Sequence, residues 1–384
     1  MSLGAPPLGV YIHWPYCARV CPYCDFNVVR DRGRRDEQAR LVDAIARDLA
    51  AQAETVGPRR LQSVFLGGGT PSLMDPEAAG RLIDLASRLW TPAEDLEVTL
   101  EANPTDAEAG RFEAFAAAGV DRLSLGLQAL DDESLAFLGR NHDAATGLRA
   151  AAAAARAFPR LSLDLIYALP GQTAAGWSAT LERAAGLGAE HLSPYQLTIE
   201  EGTAFDRAVR RGRLPAADPE RGGDLYEATQ ASLERLGFEA YEVSNHARTP
   251  AARSRHNLIY WRGHDYVGVG PGAHGRITGP DGRWATRAEP RIADYLAAVE
   301  RTGRGWAEHE RLDPQEAARE RLLMGLRTDE GVAWADLAAL ALSPEAKPVR
   351  EMRDLGLVGA DSERLFATRA GRLVLDRVIA ELAG

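Results

Sequence analysis

The chain has 384 residues, is 45% hydrophobic and carries a formal net charge of −10. That is enough for one large domain and a small one, while the acidic balance, with a pI of about 5.4, disfavours broad binding to a phosphate backbone. No apolar stretch approaches the roughly 20 residues that span a bilayer, so an integral membrane protein is not expected.

The N-terminal sequence, Met-Ser-Leu-Gly-Ala-Pro-Pro, has no basic region ahead of an apolar core, and hence no secretory signal. A cytoplasmic location with reduced thiols is expected. The odd cysteine count argues against a disulfide framework. Lys347 is the only lysine, a compositional bias without functional weight.

Short β-rich runs then alternate with helical patterns. Strands are predicted over 9–13, 63–66, 96–101, 122–127, 161–166 and 191–197. Helices are predicted over 38–53, 77–89, 107–118, 132–138, 144–157 and 174–186. Six such units define an α/β protein with a parallel sheet and helices outside. Six rather than eight make a partial (β/α)6 barrel. A further strand is expected near 239–243. In parallel architectures ligands sit at the C-terminal edge of the strands. That edge here carries the run from Cys17, then Gly67-Gly68-Gly69-Thr70, Glu101, Gln128 and Ala168-Leu169-Pro170-Gly171. Any one of these could be an ordinary turn; five at one edge point to a site.

After about residue 290 the pattern changes to helices over 314–326 and 334–340, a short hairpin ending at 365–368, and a last helix over 372–382. This suggests a helical, winged-helix-like C-terminal domain, with the division at 1–290 and 291–384. Such modules can bind DNA, but fold alone does not establish it, and the acidic chain argues against a nucleic-acid partner. The alanine run 150–155 reads as plain helix.

Cys17, Cys21 and Cys24 are the only cysteines, spaced C-x3-C-x2-C. Thiolate sulfur suits iron–sulfur clusters and zinc. Three such ligands can hold three irons of a four-iron cluster and leave the fourth open. Structural zinc usually takes four ligands, and His13 could complete a Cys3His site; that is the competing reading. The glycines at 67–69 let backbone amides approach a ligand closely. Glu101, Gln128, Arg140 and Asp164 each fit a structural role as well as a binding one. Asp164, flanked by leucines, needs partners either way.

The cysteine spacing ahead of this β-α pattern, with Tyr23 just before the third cysteine, resembles the radical S-adenosylmethionine (SAM) superfamily. The resemblance implies a [4Fe-4S] cluster on Cys17, Cys21 and Cys24, with SAM chelating the open iron and the protein positioning it. More narrowly, nearly the whole chain resembles the oxygen-independent coproporphyrinogen III oxidase family. That implies SAM contacts at Tyr11, Gly68, Gly69, Thr70, Glu101, Gln128, Arg140 and Asp164. It also implies a backbone contact to adenine at Thr198, where the local sequence differs.

Two branches of that family diverge. The dehydrogenase branch carries a fourth cysteine two residues beyond the third, and a longer N-terminal segment. Here Phe26 stands at that place and sixteen residues precede Cys17. The HemW-type heme chaperone branch carries H-N-x-x-Y-W, matched by His256-Asn257-Leu258-Ile259-Tyr260-Trp261. Imidazole is a common axial ligand of heme iron, and Tyr260 and Trp261 would offer flat apolar surface to a porphyrin. Alternatively, His256 hydrogen-bonds in a buried turn and the aromatics are core. The other histidines are further ligand candidates, His264 and His274 being nearest in sequence.

The expected function is a heme chaperone, non-catalytic or weakly catalytic, that binds heme and transfers it to acceptor proteins. It would carry the cluster and an exchangeable SAM, with a homodimer left open. Oxygen-independent coproporphyrinogen III dehydrogenase, or another radical SAM tetrapyrrole enzyme, is the alternative. A zinc-stabilised DNA-binding regulator is a third reading.

Overall fold

The computed structural model of the chain describes residues 6–384. Six strands, β1 (Pro7–Trp14), β2 (Arg60–Gly68), β3 (Thr91–Ala102), β4 (Arg122–Gln128), β5 (Arg160–Tyr167) and β6 (His191–Gln196), lie side by side in sequence order. Every neighbouring pair is parallel. The intervening helices include α1 (Arg35–Val56), α2 (Pro76–Leu89), α3 (Ala144–Ala157) and α4 (Ala174–Ala185). Asp75, Asp143 and Thr173 cap α2, α3 and α4 by accepting from Glu77, Thr146 and Gly176 backbone N–H groups. The helix expected over 107–118 forms as two short pieces, Asp106–Ala109 and Phe112–Ala117.

The strands sort their residues by alternation. Val10, Ile12, Val98, Leu100, Leu123, Leu125, Leu163 and Leu165 enter one apolar core. The residues between them are polar: Glu97, Thr99, Glu101, Ser124, Ser162 and Asp164. Register places Glu101, Ser124, Ser162 and His191 side by side across β3 to β6. The sheet therefore presents apolar side chains on one face and a layer of polar ones on the other.

The sheet grows beyond the six units to twelve strands. β7 (Glu239–Glu242) and β8 (Asn245–Ala247) extend it antiparallel beyond β6. The strand expected near 239–243 is thus present, at the far edge. Helix α5 (Pro219–Arg235) precedes β7, and helix α6 (Arg255–Trp261) precedes β9 (Asp265–Val269), which pairs parallel with β1. β10 (His274–Gly279), β11 (Gly282–Ala288) and β12 (Trp306–Arg311) follow antiparallel.

The boundary expected at 290/291 falls before α7 (Ile292–Thr302). Tyr295 and Val299 of α7 belong to the main core, and β12 belongs to the main sheet. A separate core, including Leu322, Leu326, Val349, Leu365 and Val378, begins with α8 (Pro314–Leu326). Around it stand a 3₁₀ helix at Trp334–Leu340, helix Lys347–Asp354 and a three-stranded antiparallel sheet. The last helix, expected over 372–382, breaks into Arg369–Leu373 and Leu375–Ala383. Glu320 of α8 pairs with Arg276 (2.7 Å) and Arg283 (3.5 Å), and Arg327 pairs with Glu242 (2.6 Å), tying this unit to the sheet. Among the described residues no helix is long and apolar enough to cross a membrane.

Candidate cluster and cofactor site

β1 leads straight into the cysteine loop. Tyr16–Cys17 pairs parallel with Val29–Arg30, so residues 18–28 form a closed loop above the sheet edge. The Cys24 N–H donates to the Cys21 carbonyl (3.2 Å), which sets the two cysteines in one turn. Two long-range ties anchor the loop. Asn27 Nδ2 donates to the carbonyls of Pro271 (2.9 Å) and Pro290 (2.8 Å). The Asn27 carbonyl meets His13 Nε2 (2.8 Å), and His13 Nδ1 meets the Tyr11 hydroxyl (3.0 Å).

The three cysteines line one cavity of about 410 Å³ at the C-terminal edge of the strands. Gly68, Gly69, Thr70, Glu101, Gln128, Arg140, Asp164 and Thr198 line it too. Eleven of the fifteen expected site residues, the cysteines included, are thus brought together.

The glycine run is required by close approach. A Cβ on Gly68, whose φ is +107°, would lie 2.6 Å from the His13 ring, and one on Gly69 would lie 2.7 Å from the Tyr16 carbonyl. Gly69 and Thr70 donate their N–H groups to the Trp14 and Tyr16 carbonyls. Gly68 donates its own to Glu101 Oε2 (3.0 Å). Gln128 holds φ +65°, unusual for a side chain with a Cβ.

A polar chain runs between the cysteines. The Thr70 hydroxyl donates to Cys17 Sγ (3.6 Å), and Asn103 Nδ2 donates to Thr70 Oγ1 (2.8 Å). Arg140 donates to Asn103 Oδ1, to Cys21 Sγ (3.3 Å) and to the Tyr23 hydroxyl (3.4 Å). Asn103 went unnoticed in the sequence; its signal was its place in Glu-Ala-Asn-Pro at the end of β3. Burial pushes the Cys17 thiol up to about 11, partly opposed by Thr70. Burial also works against the charge of Arg140, but Tyr23 and Cys21 outweigh it and strengthen its hold on the proton.

Two carboxylates form the floor. Glu101 is raised to about 8, first by burial and then by the charge of Asp164. Asp164 is raised by burial, although Ser124 (2.9 Å) and Ser162 (3.5 Å) donate to it. Behind Asp164, Ser162 Oγ meets His191 Nδ1 (2.8 Å) and His191 Nε2 meets the Tyr241 hydroxyl (2.8 Å).

The remaining four expected residues sit elsewhere. Tyr11 does not line the cavity; it lies behind Gly67 with its hydroxyl on His13. His256 is 1% exposed. Its Nδ1 meets Ser63 Oγ (2.8 Å), its Nε2 meets the Tyr260 hydroxyl (2.6 Å), and its backbone N–H donates to Glu97 (2.9 Å). Neither ring nitrogen is free for iron, so the buried-turn alternative describes its geometry. Phe65 stacks on His256 (4.8 Å between centroids) and is itself part of the cavity wall. Trp261 turns toward the smaller unit: Arg321 donates to its carbonyl (3.0 Å) and Arg327 lies over its ring (5.0 Å). The motif residue that reaches the cavity is Asn257.

Among the other histidines, His13 and His191 also have both nitrogens engaged, and His246 is 1% exposed. His274 and His309 are exposed, His309 between the rings of Trp284 and Trp306.

The donor set fits an iron–sulfur cluster: three soft sulfurs on one loop, with a hydroxyl and a guanidinium directed at them. A Cys3His zinc site fits poorly, because His13 is held by Tyr11 and Asn27. Among the described residues no three His, Cys, Asp or Glu side chains converge closely enough for a single ion.

Residues 11–184 match the radical SAM superfamily, and residues 312–374 match the HemN C-terminal domain. The chain is 41% identical over 396 residues to "Radical S-adenosyl methionine domain-containing protein 1, mitochondrial" of Bos taurus, covering 99% of this chain and 88% of that one. It is 36% identical over 383 residues to the heme chaperone HemW of Mycobacterium tuberculosis, covering 98% and 95%. Identity to HemW of Bacillus subtilis is 31% over 382 residues, covering 97% and 98%. Coproporphyrinogen III oxidase (HemN) from Escherichia coli shares the fold, with a TM-score of 0.82 at 22% identity over 99% of this chain and 90% of that one.

The fold and the cysteine loop therefore define a radical SAM protein with a HemN-type C-terminal domain. Within that class, the chain belongs to the family that includes the heme chaperone HemW.

Proposed function

We propose that the protein is a cytoplasmic heme chaperone that binds heme and passes it to acceptor proteins. It holds a [4Fe-4S] cluster on Cys17, Cys21 and Cys24, with an exchangeable SAM in the cavity. The observation that carries this reading is Phe26, which stands 61% exposed at the cavity rim. The dehydrogenase branch places a fourth cysteine there. An apolar ring at the mouth suits reception of a flat apolar ligand better than it suits reactive thiol chemistry.

When bound, such a cluster would supply one iron without a protein ligand and a single reducing electron at a time. The chain's own residues do the rest. Thr70 and Arg140 direct hydrogen-bond donors at the thiolate sulfurs. Gly68 and Gly69 form the tight turn that borders the space for an amino-acid moiety. Glu101 and Asp164 offer acceptors for hydroxyl groups. In this reading His256 and Tyr260 act from behind by fixing Phe65, and the iron of heme takes its ligand from elsewhere.

The test is anaerobic purification with spectra before and after adding hemin and SAM, together with an assay for decarboxylation of coproporphyrinogen III. The expected result is a cluster band, a shifted Soret band with hemin and no decarboxylated product. Protein that ignores hemin yet decarboxylates coproporphyrinogen III is the dehydrogenase instead. Zinc in place of iron and sulfide would sink the cluster assignment.

A further inference from the structure

β12 is the outermost strand of the large sheet. Ala288 of β11 pairs with Trp306, but Arg287 pairs with Glu308, so β12 carries one extra residue at that point. Trp306 and His309, three apart, would ordinarily face opposite sides of a strand. The extra residue turns them to the same face. Thr286 pairs with His309, and Trp284, two residues before Thr286, lies on that face as well.

The three rings form a stack. Centroids are 4.6 Å apart for Trp284 and His309 and 4.5 Å for Trp306 and His309, each pair 24° from parallel. The outer rings are fixed. Trp284 Nε1 donates to Asp281 (3.1 Å). Arg304 lies over the Trp306 ring (5.3 Å) and donates to the Ala51 carbonyl (2.9 Å) and the Thr55 hydroxyl (2.8 Å). Both tryptophans are half-buried, whereas His309 is exposed. Among the described residues neither of its ring nitrogens has a hydrogen-bond partner. Partial burial and the charge of Arg304 hold its pKa below the ordinary value, which leaves a neutral imidazole at pH 7.

The other histidines are worse placed. His13, His191 and His256 have both nitrogens engaged. His246 is buried with Nε2 on Gln230 (3.3 Å), and both nitrogens of His142 are buried. Guanidinium groups lie beside His264 (Arg262, Arg321) and His274 (Arg276, Arg287). His309 joins accessible nitrogens to a flat aromatic ring on either side.

We propose that His309 is an axial ligand of heme iron, held upright between Trp284 and Trp306. The proposal rests on the heme-chaperone reading. It seats the heme outside the cysteine-lined cavity, which stays with the cluster and SAM. The imidazole lone pair takes the place of a water or halide on the iron, and nothing is oxidised or reduced. A porphyrin ligated in this way lies across the imidazole plane, and so across the edges of both indoles, an edge-to-face contact. Arg311 pairs opposite Trp284 and makes no ion pair among the described residues, so its guanidinium is open to a propionate. The stack is joined to the loop that carries Phe26. Asn27 donates to the Pro290 carbonyl, the Glu289 N–H donates to the Gly305 carbonyl (2.8 Å), and Trp306 is the next residue.

The experiment titrates anaerobically reconstituted full-length protein with hemin and, separately, with metal-free protoporphyrin IX. His309→Gly should keep the cluster band, lose the imidazole-ligated Soret band and bind hemin about tenfold or more weakly, with protoporphyrin IX within about twofold of wild type. Added imidazole, entering the slot between the two indoles, should restore the hemin spectrum. His264→Gln and His274→Gln should bind hemin like the wild type. If His309→Gly keeps the wild-type hemin spectrum and affinity, or if either of the other two variants loses them instead, the ligand is not His309. Equal weakening of both porphyrins, without rescue by imidazole, makes His309 a packing residue and overturns ligation. Wild-type protein that takes up no hemin overturns the heme reading itself, and this ligand with it.

Discussion

His256 illustrates how a histidine can matter without touching a ligand. Burial holds it neutral, with its pKa pushed down to about 3. In the unfolded chain the ordinary value is about 6.5. The folded form therefore binds fewer protons between these values. The stability from its neutral, bonded state is complete above pH 6.5 and is lost as pH falls toward 3. His246, also pushed down to about 3 by burial, acts in the same sense. Replacing His256 with Gln, which cannot charge, should flatten the fall in urea midpoint between pH 7 and pH 5. Parallel profiles for the two proteins would show that His256 does not titrate on unfolding. The same variant should leave the hemin spectrum unchanged if the iron ligand lies elsewhere.

Asp48 works in the opposite direction. Burial raises it to about 6, although Gln52 (2.9 Å) and Tyr295 (2.8 Å) both donate to it. The folded state now binds the extra proton, so its contribution is complete below about pH 3.8 and lost as pH rises through about 6. Asp48→Asn should therefore gain denaturant midpoint relative to wild type at pH 8 and little at pH 4. A gain of equal size at both would rule out the carboxyl as the cause. Neither effect was legible in the sequence, because Ser63, Glu97 and Tyr295, which define these environments, come from distant segments.

At the scale of elements, the turn after β2 does most to shape the cavity. Gly68→Ala would set a methyl group against the His13 ring at a positive φ, a strain of about 1–3 kcal/mol. Its N–H would shift away from Glu101. Thermal unfolding should show the loss, and SAM affinity should fall with it; unchanged values for both would mean the turn relaxes freely. Such turns, and the six β-α units around them, are legible because strands such as β3, β4 and β5 alternate apolar residues with polar interruptions between helical patterns. Those interruptions, Glu101 and Asp164, were also what marked the site. The antiparallel additions were harder to read. β8 has three residues, and β9 reads Asp-Tyr-Val-Gly-Val, too short and glycine-broken to fix its pairing with β1. Trp261 read as a porphyrin surface because nothing local announces Arg321 and Arg327 opposite it.

Across the whole molecule, the join between the two units is largely ionic. Glu320 is the shared partner of Arg276 and Arg283, all three less than a fifth exposed. Glu320→Ala leaves two guanidinium groups without it and should cost about 1–3 kcal/mol. The expected sign is earlier proteolytic cleavage near residues 312–316 with the cluster band intact. Resistance equal to wild type would mean that the other ion pairs across the join, Arg327–Glu242, Arg253–Asp329, Arg262–Glu330 and Arg369–Glu227, suffice without it. The bond from Arg321 to the Trp261 carbonyl runs the same join into α6, which also carries His256 and Asn257. Strain at the C-terminal unit therefore has a direct mechanical route to the cavity wall.

The anchoring of Asn27 also has a consequence for synthesis. Its two acceptors, the carbonyls of Pro271 and Pro290, lie 244 and 263 residues further along the chain. At about 5–20 residues per second, roughly 12–50 s separate the emergence of the loop from that of its first anchor. Through that interval the thiols of a nascent chain stand on a loop held only by its local ties to His13 and Tyr16–Cys17, open to an iron–sulfur donor and equally to oxidants. On the cluster reading proposed above, translation speed and redox state together would set how much of the protein leaves the ribosome with a fillable loop.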